Sequence, residues 1–477
     1  MCGFVGMISS TPVAAQIGLG MQMIQHRGQD AAGIGTWDDR RVHLVKGLGM
    51  IPQAVPEKAW PTLHGNAGIG HVRYPTAGAV STAEDAQPFR TRSPGILLAH
   101  NGNVTNVPEV TAWLRDQGHV VLSSCDAEPI LLTFACALTN RRPAGHTTED
   151  VVAAVREVHA RVRGAYSVVA IVEVDGQPTM VAFRDPHAIR PGVYGQSSSG
   201  AWMVSSESVA LDVLEIEKRG DLPYGQVALL RAGQEPVLIP VSEGQPRHCA
   251  FERIYFARPD SHMEDGRINR TRWLMGRRLA REWRERGHEA DIVVPVPDSS
   301  RTAAMAMADE LQIQHRDGFV KNRYSGRTFI MPDQASRDAA LRLKLNPIRE
   351  MFEGRKVLLV DDSIVRGSTM RRIVGMVRAL KPESLHIAIF SPPVTHPCFY
   401  GIDMPTRAEL VATQFEGQDL EAALTTYFGA DSVTFLTQEG TRAVLGPNLC
   451  DACFSGDYVV PVSEAERSAI EAERRAG

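Results

Sequence analysis

The sequence predicts two architectures in one chain: stacked antiparallel sheets of α+β type over residues 2–240, then a parallel α/β sheet over 255–450. Three observations predict this. The first part holds many short apolar runs separated by turn residues and few helix-length periodic stretches. After about residue 255, strand-like runs alternate with helix-length ones, as in βαβ units. Within that part, Val357-Leu358-Leu359-Val360 reads as a buried strand that ends in Asp361-Asp362 and a loop with one glycine and three hydroxyls, Ser363 to Thr369.

In order, the first part offers the strand-like Phe4 to Ile8, Gly95 to His100 with a turn at Asn101-Gly102-Asn103, Tyr166 to Val172, Thr179 to Phe183, Trp202 to Ser205 and Gln226 to Leu230. Helices are expected over Asp126 to Leu138 and Thr148 to Arg161. Gly233 to Pro246 is turn-rich and is the candidate boundary. Beyond it, Asn269 to Arg286 and Arg301 to Leu311 read as helices. Ile292 to Val296 and Leu385 to Phe390 read as strands, with a helix over Met370 to Leu380. A C-terminal segment, 451–477, ends in a charged helix from Glu464 to Arg475, expected to present a solvated face.

The chain has 477 residues, too many for one ordinary core, so two or three domains are expected. Hydrophobic residues at 43% and charged residues at 22% describe a globular protein. With 51 basic and 55 acidic residues the net charge is −4, which argues against nonspecific nucleic-acid binding. No apolar run is long enough to span a bilayer, and no signal peptide precedes the first strand. A cytoplasmic location, with no membrane or nucleic-acid partner, is the expectation. The seven cysteines are then expected to be reduced.

The acidic loop carries the first chemistry. Backbone N–H groups at a strand–loop–helix junction can hold a phosphate. Asp361 and Asp362 can hold sugar hydroxyls or a magnesium shell. Together they point to a phosphorylated ribose; a plain surface turn needs neither paired acids nor a run of hydroxyls.

Cys2 carries the second. Removal of Met1 leaves a thiol and an α-amine with similar pKa values, about 8.5 and 8, so one residue supplies nucleophile and base. An amide hydrolase also needs a cation for a substrate carboxylate, oxyanion donors, and an acid for a substrate ammonium. Arg73, the Asn101 side chain with the Gly102 N–H, and Asp126 are the candidates. Taken singly, His26-Arg27-Gly28-Gln29, His71-Val72-Arg73-Tyr74 and His100-Asn101-Gly102-Asn103 read better as turns and satisfied histidines than as site residues.

Cys450 and Cys453 form a C-x-x-C, while Cys249 and Cys398 each lie near a histidine, His248 and His396. Four thiolates could hold zinc or an iron–sulfur cluster, and the residues alone leave both open. Cys136 and Cys125 are expected to pack as small apolar groups.

Met1-Cys2-Gly3 and these three polar clusters together resemble the N-terminal-nucleophile, class II glutamine amidotransferases. The second half resembles the type I phosphoribosyltransferases. The combination resembles the amidophosphoribosyltransferase family, in its [4Fe–4S]-containing branch. Further matching stretches are Arg184-Asp185-Pro186-His187, Tyr255 to Ser261, Lys321 to Tyr324 and Phe399 to Asp403. The resemblance implies an αββα sandwich followed by a parallel-sheet domain. It implies transfer of glutamine-derived ammonia to C1 of phosphoribosyl pyrophosphate, the first step of purine synthesis.

The resemblance also assigns residues. Cys2, Asn101 and Gly102 would be catalytic, with Arg73 and Asp126 binding glutamine. Asp361, Asp362, Ser363, Val365, Arg366, Gly367, Ser368 and Thr369 would bind the phosphoribosyl group. Asp298 and Ser299 lie in a pyrophosphate loop, Pro297 to Arg301. The basic stretch from Arg323 to Asn346 would be a lid, with Lys321 and Arg327 as contacts. Magnesium would sit near Ser299, Asp361 and Asp362, and a [4Fe–4S] cluster on Cys249, Cys398, Cys450 and Cys453. Tyr74, Tyr255 and Ile330 are candidates for an ammonia tunnel. Purine nucleotides as inhibitors and a homotetramer are implied too. Ala127, beside Asp126, stands where the family usually has a hydroxyl residue, Ala188 where it has Gly, and Leu341 where it has Val. Pro75 stands where the cluster-bearing branch tends to have Ser or Ala. Two other readings are a paralogue that works on free ammonia or in a specialised pathway with an altered glutaminase, and a phosphoribosyl pyrophosphate-sensing regulator; intact Cys2, Arg73, Asn101, Asp126 and the lid argue against a dead glutaminase and a pure sensor.

Overall fold

A computed structural model describes residues 2–38, 41–74, 82–264, 266–322 and 345–476. The expectations placed on Pro75, Arg327, Ile330 and Leu341, and nearly all of the lid, lie outside the described residues.

The first thirteen strands are β1 (Gly3–Ile8), β2 (Ala31–Trp37), β3 (Val42–Leu48), β4 (Ala67–Arg73), β5 (Phe89–Arg92), β6 (Gly95–Val104) and β7 (Gly164–Val174), then β8 (Gln177–Arg184), β9 (Val193–Gln196), β10 (Trp202–Ser205), β11 (Glu217–Asp221), β12 (Gln226–Leu230) and β13 (Val237–Pro240). They form a seven-stranded sheet, β11-β9-β10-β1-β4-β2-β3, and a six-stranded one, β13-β12-β8-β7-β6-β5. The sheets stack face to face. Phe4, Ile69, Leu97, Val169, Met180 and Trp202 interleave between them as one apolar core. Helix Ala14–Met23 covers the outside of the first sheet through Ile17 and Met21. Helices Ala127–Arg141 and Thr148–Arg161 cover the second. The second of these starts at a capping box, Thr147 with Asp150. The result is a four-layer αββα sandwich.

Two local expectations differ. The turn expected at Asn101 to Asn103 is strand, the end of β6. Strand β13 lies inside the expected boundary and pairs with β12, so the turn-rich residues flank a sheet edge.

Eleven further short or parallel strands follow among the described residues: β14 (His248–Cys249), β15 (His262–Met263), β16 (Gly266–Arg267), β17 (Ile292–Pro295), β18 (Gln314–His315) and β19 (Phe319–Lys321), then β20 (Leu345–Pro347), β21 (Lys356–Asp361), β22 (Ser384–Ile389), β23 (Ser432–Phe435) and β24 (Leu449–Cys450). Strands β18-β17-β21-β22-β23 form a parallel sheet. Its middle strand, β21, is fully apolar over Val357 to Val360 because helices cover both faces. Helices Ile268–Glu285 and Arg301–Leu311 pack on one side. Helices Ser368–Arg378 and Leu420–Phe428 pack on the other. In such a sheet ligands bind beyond the carboxyl ends of the strands, which is where Asp361 and Asp362 stand. Among the described residues no helix is long and apolar enough to cross a membrane.

Candidate active sites

Cys2 precedes β1, and β1 pairs with β4 so that Gly3 lies opposite Val72. This register puts the nucleophile beside Arg73 and Tyr74. Cys2, Arg73, Gly102, Asp126 and His100 line one cavity of about 340 Å³. Asn101 is fully buried behind this cavity and does not line it; its Nδ2 lies 3.5 Å from Ser206 Oγ. Arg73 is buried, and its Nη1 has no hydrogen-bond partner among the described residues. Such a group is poised for an anion that the protein does not itself supply.

Asp126 immediately precedes the helix that begins at Ala127, and its side chain turns away from that helix's N–H groups. Its Oδ2 accepts from the Val104 N–H at 2.9 Å and faces His100 Nε2 at 3.2 Å. Burial works to raise its pKa, but the charge and hydrogen bond of His100 outweigh it, so the carboxyl is held below its ordinary value. His71 is fully buried, and its ring donates to the His100 carbonyl at 3.1 Å. Burial, with His100 and Arg73 nearby, holds its pKa well down, so His71 is a neutral structural group. Cys125 also lines this cavity. Burial, then Asp126, pushes its thiol far up, so it stays protonated at neutral pH.

Sequence reasoning missed two parts of this site. Arg27 was seen only as a polar cluster; its Nε donates to the Cys2 carbonyl at 3.0 Å. The terminal helix, Glu464–Ala476, was expected to be solvated. Instead Ser463, Ala465, Glu466, Ala469 and Ile470 line the cavity that holds Cys2. Ile470 is buried, and an apolar residue amid the charges of that helix was the available signal.

A second cavity, of about 510 Å³, is lined by Ser299, Asp361, Asp362 and the whole loop from Ser363 to Thr369. The loop ends at Gly367, whose φ of +74° starts helix Ser368–Arg378. Ser299 and Ser363 donate to the two oxygens of Asp362, each at 2.5 Å. The Asp362 N–H donates to Asp361 Oδ1 at 2.9 Å. Burial, then the neighbouring Asp362, pushes the Asp361 carboxyl well above its ordinary value. Asp362 is also raised by burial, although Ser299, Ser363 and Arg272 offset part of this. Two adjacent raised carboxylates are a site that gains from a cation.

Lys321 and Asp298, which pair with each other at 2.6 Å, are exposed and do not line this cavity; Arg366 lines it and pairs with Glu409 at 3.2 Å. Tyr255 lines the second cavity, while Tyr74 lines both cavities. Ala188, with a φ of +50°, accepts through its carbonyl from Arg184 and lies outside both.

The four cysteines singled out from the sequence come together from three segments. Strands β14 and β24 pair in parallel with Cys249 opposite Cys450. Cys453 sits one turn on, and its carbonyl accepts from the Thr395 and His396 N–H groups at 3.0 and 3.1 Å. That brings in the chain around Cys398. All four are buried, and none is in a disulfide. Burial pushes Cys249 up to about 12, with Cys398 adding to the shift. Cys450 and Cys453 are raised well above the ordinary thiol value by burial and by one another. Among the described residues no three His, Cys, Asp or Glu side chains are arranged to hold a single metal ion.

Known proteins match this arrangement along nearly its whole length. A model of the glutamine amidotransferase domain matches residues 71–213, and one of the phosphoribosyl transferase domain matches 270–393. An amidophosphoribosyltransferase of Pseudomonas aeruginosa is 42% identical, over 99% of this chain and 96% of its own. That of Escherichia coli is 40% identical, over 91% and 86%. The solved glutamine phosphoribosylpyrophosphate amidotransferase of B. subtilis, complexed with ADP and GMP, superposes with a TM-score of 0.85 at 34% identity, covering 97% of this chain and 98% of its own. With identity of this order over nearly the full length of both chains, the chain belongs to the amidophosphoribosyltransferase family.

Proposed function

We propose that this chain hydrolyses glutamine at Cys2 and adds the ammonia to C1 of phosphoribosyl pyrophosphate, giving 5-phosphoribosylamine, pyrophosphate and glutamate, the first step of purine synthesis. The observation that carries this reading is Tyr74, which lines both the Cys2 cavity and the Asp361–Asp362 cavity. The two cavities therefore share a wall at Tyr74, across which ammonia would pass.

With Met1 removed, the α-amine takes the Cys2 proton and the sulfur attacks the glutamine carboxamide carbon. Asn101 Nδ2 and the Gly102 N–H take the developing oxyanion. Arg73 Nη1 pairs with the substrate carboxylate and Asp126 with its ammonium. The amine's proton leaves with ammonia, and water then cleaves the thioester to glutamate. In the second cavity, backbone and hydroxyl groups from Ser363 to Thr369 hold the 5-phosphate, and Asp361 and Asp362 hold the ribose hydroxyls. Ammonia attacks C1 as the bond to pyrophosphate breaks. Ser299, which lines this cavity, would hold the leaving group, with Asp298, Lys321 and Arg327 of the lid as further contacts.

The raised pair Asp361 and Asp362, with Ser299, fits magnesium, which would neutralise the pyrophosphate charge. The four buried thiols fit a [4Fe–4S] cluster, whose role would be to tie the C-terminal segment to both halves. Burial holds Cys249, Cys450 and Cys453 as neutral thiols, and the positive charge of a bound cluster would be what lets them ionise there. Inhibition by purine nucleotides is part of the reading, supported by the ADP and GMP named with the B. subtilis relative. A homotetramer and a cytoplasmic location complete it.

The test is consumption of phosphoribosyl pyrophosphate with glutamine, with ammonium, and for Cys2→Ala. Activity is expected with both nitrogen sources, and Cys2→Ala should lose only the glutamine-dependent part. No activity with either would refute the enzyme. Iron analysis of protein purified without oxygen should find about four iron atoms per chain; zinc without iron would refute the cluster.

A further inference from the structure

The segment from Cys398 to Met404 has no part in the reaction just described, yet it touches three sites. Its first residue is one of the four gathered cysteines. Its last three, Ile402, Asp403 and Met404, line the cavity of Asp361 and Asp362. Its middle lies against the oxyanion donor. Gly401 has a φ of +99°, and a Cβ there would fall 2.9 Å from the Gly102 carbonyl carbon and 3.2 Å from its Cα. A Cβ on Gly102 itself would fall 2.0 Å from the Ala165 carbonyl oxygen. Gly102 thus packs closely on β7 and, through its Cα and carbonyl, on Gly401. Next to it, Asn103 Nδ2 donates to the Phe399 carbonyl at 3.1 Å in a buried hydrogen bond. The segment itself is fixed: Tyr400 is buried, its hydroxyl donates to the Val460 carbonyl at 2.6 Å, and its N–H lies 3.3 Å from Cys398 Sγ.

We infer that Gly401 is a positioning residue for the glutaminase: its backbone, carried by the phosphoribosyl half of the chain, sets the place of the Gly102 oxyanion donor. The inference rests on the function proposed above for Gly102. An oxyanion donor acts only where charge develops, so a displacement of a few tenths of an ångström is felt in the chemical step and not in substrate binding. Only glycine permits this packing, for two separate reasons. The positive φ disfavours any side chain, and the space beside Gly102 admits no methyl group. Gly417 separates the two. Its φ is +82°, but no atom lies within 4 Å of a Cβ placed there.

The experiment compares Gly401→Ala, Gly417→Ala and Asn103→Ala with the wild type, in the full-length protein. For Gly401→Ala the kcat of glutamine hydrolysis should fall about tenfold or more, with the KM for glutamine within about threefold, since loss of an oxyanion donor costs roughly 100- to 1000-fold and displacement less. Inhibition by glutamate γ-semialdehyde, whose thiohemiacetal oxygen needs the same donor, should weaken in parallel. Ammonia-dependent synthesis should stay within about twofold, and Gly417→Ala should match the wild type throughout. Asn103→Ala, which frees the segment without a clash, should lower kcat in the same selective way, and it decides the matter if Gly401→Ala does not fold. An unchanged glutaminase kcat in folded Gly401→Ala, or an unchanged kcat in Asn103→Ala, would overturn the inference. So would an equal fall in the ammonia-dependent reaction. A wild-type protein that does not hydrolyse glutamine would overturn the proposed function, and the inference with it; a wild type that does, beside an unaffected variant, overturns the inference alone.

Discussion

Arg27 Nε donates to the carbonyl oxygen of Cys2 at 3.0 Å, and the guanidinium that makes this bond is wholly buried. Its other nitrogens are held by Glu207 and Glu252, and its Cζ lies 4.8 Å from the centre of the Phe256 ring. Glu252 also pairs with Arg190. Glu207 further accepts from His26 Nε2 at 2.7 Å, Ser261 Oγ at 2.6 Å and the Arg258 N–H at 3.0 Å. The nucleophile therefore hangs from a buried charge network that joins the sandwich to residues 252–261.

Replacing Arg27 with Met should destabilise the protein by about 3–5 kcal/mol, because two carboxylates remain buried without their shared partner. Lysine should not rescue it, since one ammonium cannot span both carboxylates and the Cys2 carbonyl. Urea unfolding measures the first effect; glutaminase activity of Arg27→Lys measures the second. A Met variant as stable as the wild type would refute this account of the network.

The same network makes stability depend on acid. Burial works to raise the Glu207 pKa, but His26 and Arg27, with hydrogen bonds from His26 and Ser261, hold it far below the ordinary carboxylate range. A carboxyl lowered on folding contributes stability that is present above its unfolded pKa, about 4.3, and is lost as pH falls toward its folded value. Asp126 acts in the same direction. Unfolding free energy should therefore fall steeply below about pH 4.5. Glu207→Gln, less stable at neutral pH, should show a shallower acid slope. An equal slope would refute the assignment.

The parallel half was legible from residue types because its strands are buried on both faces. Uninterrupted runs such as Val357 to Val360 cannot be read otherwise, and the acids that end them mark the ligand edge. The sandwich was less so. Strand β2 is Ala31-Ala32-Gly33-Ile34-Gly35-Thr36-Trp37, whose alanines and glycines carry little strand propensity. Those small residues serve close packing: a Cβ on Gly35 would fall 2.7 Å from Leu97 Cδ1. Asn101-Gly102-Asn103 carried turn chemistry and is strand for the same reason. The motif residues Cys2, Arg73 and Asp126 were readable because each has a role that its chemistry names. Arg27, Gly401 and Ile470 were not, because their roles consist of what the fold sets beside them.

Asp362 accepts from Ser299 and Ser363 and stands against Asp361, so it is the hub of the phosphoribosyl cavity. Asp362→Asn keeps the shape and removes a charge. Synthesis from ammonia should fall by about 100-fold or more, the scale of a lost electrostatic stabiliser. Basal glutamine hydrolysis, measured without phosphoribosyl pyrophosphate, should stay within about twofold, because Cys2 lies in the other cavity. A parallel loss of both activities would show a general structural effect instead.

Arg163 joins the terminal helix to the sandwich, pairing with Glu466 at 2.8 Å and with Glu109 at 2.7 Å. Arg163 and Glu109 are substantially exposed, so the pairs add little stability, at most about 1 kcal/mol. Their effect is local. Glu466 and Ile470 close one side of the cavity that holds Cys2, and Arg467 stacks 5.0 Å from the Tyr458 ring. Removing residues 464–477 should open that wall to water and raise the KM for glutamine about five- to tenfold, equivalent to roughly 1–1.4 kcal/mol of binding. Arg163→Ala, which loosens the helix without deleting it, should give a smaller rise in the same direction. Ammonia-dependent synthesis uses the other cavity and should not change in either variant. Glutamine saturation curves with and without the helix decide this: an unchanged KM would mean that the helix covers the cavity without contributing to the site.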